Sequence, residues 1–258
     1  MTFIQEKKSP KVTIITVCYQ SEDTIRNTLC SVLEQDYDQI EYIVKDGGSS
    51  DRTNEIIQSF TDKFQKKGIE FSHIVEKDRG IYHAMNEATR RCTGDWILYL
   101  NSDDCFYSKD VISGNLKWFR DKEIAVVYGD SVSVYKGRKK RMEHDHNELI
   151  NGMSLCHQAC FIRADLMRKY LYKETYRIGA DYDFFLKLYL QGKKFQKSGR
   201  IFCLYSKEGL SSTDLVYSYQ EFLKIREANG LPNPSKKVIL YRTWKRRILC
   251  ALHLQRLL

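Results

Sequence analysis

The 258-residue chain is 42% hydrophobic, with 14 Gly and only 3 Pro. That is enough for one large domain with a full core, and it excludes a low-complexity or repeat protein. The formal net charge of +9 is uneven: Lys236, Lys237, Arg242, Lys245, Arg246, Arg247 and Arg256 lie in 228–258, a stretch with no Asp or Glu. The chain therefore has a basic tail rather than a basic body, which argues against a nucleic-acid-binding protein.

Eight cysteines are scattered without a C-x-x-C pair, the pattern of reduced thiols rather than of a disulfide framework. Cys156-His157-x-x-Cys160 lacks a second ligand pair at zinc spacing. The polar segment Met1 to Pro10 carries no apolar leader, and no stretch approaches the ~20 apolar residues of a membrane span. The expectation is a cytoplasmic protein, soluble or peripheral on the inner face of the cell membrane.

Lys11 to Tyr19 is apolar and β-branched and predicts a buried strand. Ser21 to Gln35 predicts a helix, with Ile25, Leu29, Val32 and Leu33 at helical spacing. Ile40 to Val44 is a second strand, ending in the turn Lys45 to Asp51 before a helix over Arg52 to Phe64. Ile69 to Glu76 is a third strand, Gly80 to Arg91 a helix and Trp96 to Asn101 a fourth strand. Strands alternating with helices predict a doubly wound, mostly parallel α/β sheet with helices on both faces. Beyond residue 105 the rhythm loosens. We expect a helix over Ser108 to Arg120, a strand over Ile124 to Val134, a basic loop over Lys136 to Arg141 and an extended segment over 155–163. Helices are expected over Ala180 to Gln191 and Thr213 to Asn229. Gly230-Leu-Pro-Asn-Pro234 reads as a linker to a helical tail.

The apolar strand ending in Asn101-Ser102-Asp103-Asp104 carries the chemistry. Adjacent carboxylates repel, and hard oxygen ligands suit Mg2+ or Mn2+; the bland alternative is an acidic turn. Asp46 ends strand two beside Gly47 and Gly48, which let a ligand approach the backbone. Ser49, Ser50 and Asp51 are ordinary helix-start residues. The charged run Glu76 to Gly80 reaches the same sheet end. Asp181 and Asp183 open a late helix, as cap or first-turn acids or as a general base.

In this order, Asp46-Gly-Gly-Ser-Ser-Asp51, Asp78-Arg79-Gly80 with Asn86, Asn101-Ser-Asp-Asp104 and Ala180-Asp181-x-Asp183 resemble the inverting glycosyltransferases of GT-A family 2, especially those of bacterial colanic-acid and surface-polysaccharide synthesis. The resemblance covers about residues 11–205. It implies a Rossmann-like GT-A domain over 1–229, with a nucleotide-binding half of about 11–105 and an acceptor half of about 106–229. The basic amphipathic tail, 230–258, follows.

The resemblance also implies roles. Thr16, Tyr19 and Asp46 would line the nucleotide-base pocket, and Asp78 and Arg79, with Asn86, the approach to the phosphates. Asp103 would face the ribose and Asp104 bind the metal. His157 and Gln158 would line the sugar or acceptor pocket, and Asp181 would be the catalytic base. The implied donor is a nucleotide sugar, most commonly UDP-linked, and the acceptor a glycan or lipid-linked glycan. Two departures stand out: Gly47 replaces the second acid often found in the strand-two turn, and the Gln-x-x-Arg-Trp motif of processive synthases is absent. One sugar per acceptor is expected.

In the tail, Tyr241, Trp244, Ile248 and Leu252 can share a helical face suited to an anionic membrane surface, or to packing on the domain. A nucleotidyltransferase would also use paired acids and Mg2+, but the residues after strand one, Gln20 to Asp23, are acidic and lack the glycine-rich loop that grips a triphosphate. A catalytically degenerate nucleotide-sugar-binding subunit is the other alternative.

Overall fold

The computed structural model describes residues 9–207 and 214–251. Thr213, where a helix was expected to begin, and the tail beyond Ala251, including Leu252 and Arg256, lie outside them. Strands β1 (Val12–Cys18), β2 (Ile40–Asp46), β3 (Glu70–Val75) and β4 (Trp96–Tyr99) form a parallel half-sheet in the order β3-β2-β1-β4. All seven β1 residues are buried, because helices cover both faces of the sheet. Val12, Ile14 and Cys18 join a core with Ile25, Leu29 and Val32 of helix α1 (Ile25–Leu33). Ile15 and Val17 join another with Met85 and Ala88 of α4 (Ile81–Arg91). The two-residue alternation of a strand thus assigns each side chain to one layer.

The helix expected over Arg52 to Phe64 is two helices, α2 (Thr53–Gln58) and α3 (Thr61–Lys67). At the break the Ser59 hydroxyl donates to the Ile56 carbonyl at 2.6 Å, a local bond that competes with helical pairing. The helix expected over Ser108 to Arg120 is only a 3-10 turn and the single-turn α5 (Leu116–Phe119).

The second half continues the sheet in mixed sense. β5 is Cys105–Phe106, β6 Ile124–Tyr135, β7 Arg138–Met142, β8 Cys160–Arg163 and β9 Lys194–Ser206. β8 joins antiparallel to β4, and β6 lies between β8 and β9. The expected basic loop over Lys136 to Arg141 is instead a hairpin: β7 pairs with β6. Lys136 and Gly137 both have positive φ, 45° and 75°, as the tightest hairpin turn requires. β9 escaped the sequence reading because Lys194, Lys197 and Arg200 interrupt its apolar pattern and Gly199 (φ 77°) breaks its register.

Helices α6 (Ala164–Tyr170), α7 (Ala180–Leu190) and α8 (Leu215–Ala228) complete the body, and α9 (Lys236–Ala251) packs against α8. No helix among the described residues is long and apolar enough to cross a membrane.

Candidate active site

The register places Cys18 of β1 beside Asp46 of β2, Asp46 beside Val75 of β3, and Ile15 of β1 beside Tyr99 of β4. The segments leaving these strands, Tyr19, Gly47 to Ser50, Glu76 to Gly80 and Asn101 to Asp104, therefore share one sheet edge. The winding reverses between β1 and β4, and this edge is the crevice where open α/β sheets bind ligands.

Asp46 is fully buried. One carboxylate oxygen accepts from the Gly48 and Ser49 N–H groups at 2.8 and 2.7 Å, and the other from the Ser49 hydroxyl at 2.5 Å. Burial acts to raise its pKa, but these bonds and one from Asn54 outweigh it and hold the carboxyl below its ordinary value. Asp46 shapes the strand-two turn. Ser49 and Ser50 brace it against the end of β1 by accepting from Gln20 at 2.8 and 2.9 Å.

Where the second acid is missing, the Asp78 carboxylate crowds the position. A Cβ at Gly47 would lie 2.7 Å from Asp78 Oδ2 and 3.4 Å from the Tyr19 ring. Beneath, the fully buried Lys45 ammonium lies 3.7 Å from Asp78 Oδ2 and 3.6 Å from Glu87 Oε2 and donates to the Asp46 and Glu76 carbonyls. Asp78 thus occupies the space a side chain at position 47 would need. Tyr19, 64% exposed, stands over this floor.

Asp103 is exposed, whereas its neighbour Asp104 is 1% exposed. The Asp104 carboxylate accepts from the Ser206 N–H at 3.0 Å and from Gln158 Nε2 at 2.9 Å. Both donors are neutral, and no Lys or Arg among the described residues pairs with it. Burial, with the Asp103 charge beside it, pushes the Asp104 carboxyl well above the usual carboxylate range. A buried, hard-oxygen carboxylate lacking a counter-charge suits a divalent cation. The described residues hold no cluster of three or more His, Cys, Asp or Glu that could cage one alone. Cys156 and Cys160 instead donate to Gln158 Oε1 and the Cys156 carbonyl.

Asp181 reaches the same turn from α7. His157 Nδ1 lies 3.0 Å from Asp181 Oδ2, and Asn101 Nδ2 lies 3.3 Å from His157 Nε2. One neutral tautomer satisfies both contacts: Asn101 donates to Nε2 and the imidazole donates its Nδ1–H to Asp181. The other Asp181 oxygen accepts from the Tyr182 N–H at 2.8 Å and the Tyr82 hydroxyl at 3.3 Å. Asp183 points elsewhere. It is 2% exposed, lies 3.1 Å from Lys173 Nζ and accepts from Asn229 at 2.9 Å. Of the two acids, Asp181 is the one that meets the residues around the Asn101 to Asp104 turn.

Two expected residues stand back from the crevice, Thr16 and Asn86, and Arg79 on its edge is paired with Glu174. Thr16 is buried and donates to the Leu100 carbonyl at 2.7 Å, joining β1 to the segment after β4. Asn86 is 2% exposed and spends its amide on the Tyr172 backbone, donating and accepting at 2.8 Å. Arg79 is exposed and donates to Glu174 at 3.0 Å. Two residues at the site were not singled out from the sequence. Ser206 lies 102 positions from Asp104, and no local pattern links them. Glu221 accepts from the N–H groups of Arg177, Ile178 and Gly179 at 2.8, 2.8 and 2.7 Å, fixing the start of the Asp181 helix. Its signal was an acid on the buried face of α8, four residues before Ile225.

The fold and edge define a nucleotide-type α/β domain whose carboxylates converge at the strand ends. Residues 13–192 match the family described as Glycosyl transferase family 2, and the chain belongs to that family. It is a glycosyltransferase, which sets the nucleotidyltransferase alternative aside. It is 27% identical over 244 residues to a PGL/p-HBAD biosynthesis glycosyltransferase of Mycobacterium bovis, covering 93% of each chain. It is 33% identical over 118 residues to the putative teichuronic acid biosynthesis glycosyltransferase TuaG of Bacillus subtilis, covering 45% of this chain and 44% of TuaG.

Among solved structures, S. aureus TarS 1-349 in complex with UDP-GlcNAc superposes with a TM-score of 0.67 at 18% identity, covering 94% of this chain and 75% of that one. The mannosyltransferase PcManGT of Pyrobaculum calidifontis, in complex with GDP-Man and Mn2+, gives 0.66 at 18%, covering 97% and 73%. The expected GT-A architecture is the observed one.

Proposed function

We propose that the chain moves one sugar from a nucleotide-diphosphate sugar to an acceptor hydroxyl, with inversion at the anomeric carbon and with Mg2+ or Mn2+ as cofactor. The observation that carries this reading is the hydrogen-bonded chain Asp181–His157–Asn101, which ties a carboxylate base to the turn bearing Asp103 and Asp104.

Asp181 takes the proton of the acceptor hydroxyl as its oxygen attacks the anomeric carbon from the face opposite the leaving nucleoside diphosphate. The bond to the diphosphate oxygen breaks as the new glycosidic bond forms, and a single displacement inverts the centre. His157 holds one oxygen of the base in place, and Tyr82 with the Tyr182 N–H holds the other. Asp104, with Asp103 beside it, would hold the cation, the donor diphosphate completing the ligand set. When bound, the cation supplies positive charge against the charge developing on the leaving group. Tyr19 and the Asp46 turn form the base side of the crevice, Asp78 and Arg79 its phosphate approach, Asp103 its ribose edge, and His157 and Gln158 its sugar side. Thr16 and Asn86 act as positioning residues.

UDP is the favoured donor base, supported by TarS with UDP-GlcNAc. The names of the mycobacterial and Bacillus relatives support a surface glycan or glycolipid acceptor. In α9, Leu240, Tyr241 and Trp244 are exposed beside Arg242, Lys245 and Arg247. This supports a tail, following the catalytic domain over 1–229, that rests on an anionic membrane surface on the cytoplasmic side.

Asp181→Asn tests the reading. Donor turnover with Mn2+ should fall by roughly 10²–10⁴-fold, while calorimetric donor binding stays within about twofold. Retained turnover would place the base elsewhere.

A further inference from the structure

A recess of about 380 Å3 lies between α8, α9 and residues 151–153, away from the strand-end crevice. Arg226, Arg242 and Arg246 all line it, with Tyr219 and Phe222. None of the three guanidinium groups forms an ion pair with a carboxylate among the described residues. Arg226 donates to the Ile150 and Pro232 carbonyls, and its Nε is buried without a hydrogen-bond partner. The Arg246 guanidinium lies 4.2 Å from the centre of the Tyr219 ring. Tyr219 is 7% exposed, and its hydroxyl is also buried without a partner. The buried acid of α8, Glu221, is committed to the N–H groups of residues 177–179.

Three like charges from two helices converge on one concavity, and an orphaned phenol lies beside them. Packing them there without an acid is unfavourable unless an anion completes the set. Guanidinium forks match the oxygens of a phosphate, and a phenol adds one further donor. Phe222 gives the recess an apolar wall, and the exposed Tyr241 and Trp244 lie on the helix that closes it.

We propose that this recess is a phosphate-ester site that takes an anionic headgroup. The membrane-surface reading bears only on whether the phosphate comes from a lipid or from a soluble ester; the site does not depend on it or on the transfer chemistry.

The test uses the full chain and two probes: vesicles of phosphatidylglycerol in phosphatidylcholine, and soluble glycerol phosphate measured by calorimetry. Arg242→Gln with Arg246→Gln should weaken binding of at least one probe by roughly tenfold or more, the loss expected for charge-assisted bonds. Tyr219→Phe keeps the ring under Arg246, removes only the hydroxyl, and should weaken the same probe severalfold. The control Lys245→Gln with Arg247→Gln removes equal charge from α9 outside the recess: it should leave glycerol phosphate binding nearly unchanged and lower vesicle binding less than the recess pair does, by the general surface attraction alone. Donor turnover and Tm should be unchanged throughout, so failure here leaves the transferase reading intact. Binding of glycerol phosphate alone assigns a soluble source; vesicle binding sensitive to Tyr219→Phe assigns the lipid. Equal losses in the recess and control variants, or no binding of either probe, would overturn the proposal.

Discussion

Gly47→Asp restores the acid that relatives often carry in the strand-two turn, and here it should be damaging. The new Cβ would sit 2.7 Å from Asp78 Oδ2, inside van der Waals contact, and the new carboxylate would face the existing one. Gly47 does not have a positive φ, so backbone strain adds nothing. Overpacking a closed core costs about 1–3 kcal/mol, and the low end applies here because the opposing atom ends a flexible side chain. Charge repulsion adds to it, moderated because the Asp78 side chain is 18% exposed and Lys45 lies 3.7 Å away. A total of about 1–3 kcal/mol is expected, a Tm drop of roughly 2–12 °C for a chain of this size. If Asp78 swings out to relieve the clash, the buried Lys45 loses one of its two carboxylate neighbours.

The assay is a double-mutant cycle by urea denaturation, with Asp78→Asn and Asp78→Ala as partners. Removing the opposing charge should return part of the loss and truncation to Ala more of it, giving a coupling energy of about 1–2 kcal/mol. A neutral Gly47→Asp, or strictly additive double variants, would refute the claim that the Asp78 carboxylate crowds position 47.

The other expectations concern the same edge. Asp104→Asn is nearly isosteric and removes a buried carboxyl whose ionised form burial disfavours, so at neutral pH the metal-free protein should gain a few degrees in Tm while losing Mn2+-dependent donor binding; a lowered Tm in chelator would contradict this. Glu221→Ala strips the partners from three backbone N–H groups, costing about 3–6 kcal/mol and lowering turnover through the Asp181 helix; urea titration and donor kinetics report both. Asp183→Ala should destabilise by about 2–4 kcal/mol, because it leaves Lys173 and Lys187 without their shared acid, yet per folded molecule it should spare turnover, unlike Asp181→Asn.

Acid sensitivity follows from Asp46 and Asp130. Burial raises both pKa values, but hydrogen bonds at Asp46, and Arg141 with Lys197 at Asp130, lower them further. A depressed folded pKa gives stability that is present above the ordinary Asp value, about 4, and lost as pH falls through the folded values. A Tm-against-pH curve should therefore drop below about pH 4, with a shallower limb in Asp130→Asn.

Sequence alone determined the first half of this protein. Alternating apolar strands and amphipathic helices from Lys11 to Tyr99 are local patterns, and strand-end chemistry follows once the sheet is parallel. That made the shared sheet edge of Asp46, Asp78 and the Asp103–Asp104 pair legible, and the family resemblance added Asp181 as a candidate. The hairpin at Lys136–Gly137 was misread as a loop because the basic β7 has no apolar face to reveal it.

Only the tertiary structure decided how the acids differ. Asp103 and Asp104 are neighbours in sequence, yet one is exposed, while the other is buried against Gln158 and Ser206. Asp181 meets His157 whereas Asp183 meets lysines, and the Asp78 carboxylate crowds the space beside Gly47. Each distinction depends on contacts between residues brought together by chain closure, and burial and partner charge, which set what a carboxylate can do, exist only after that closure.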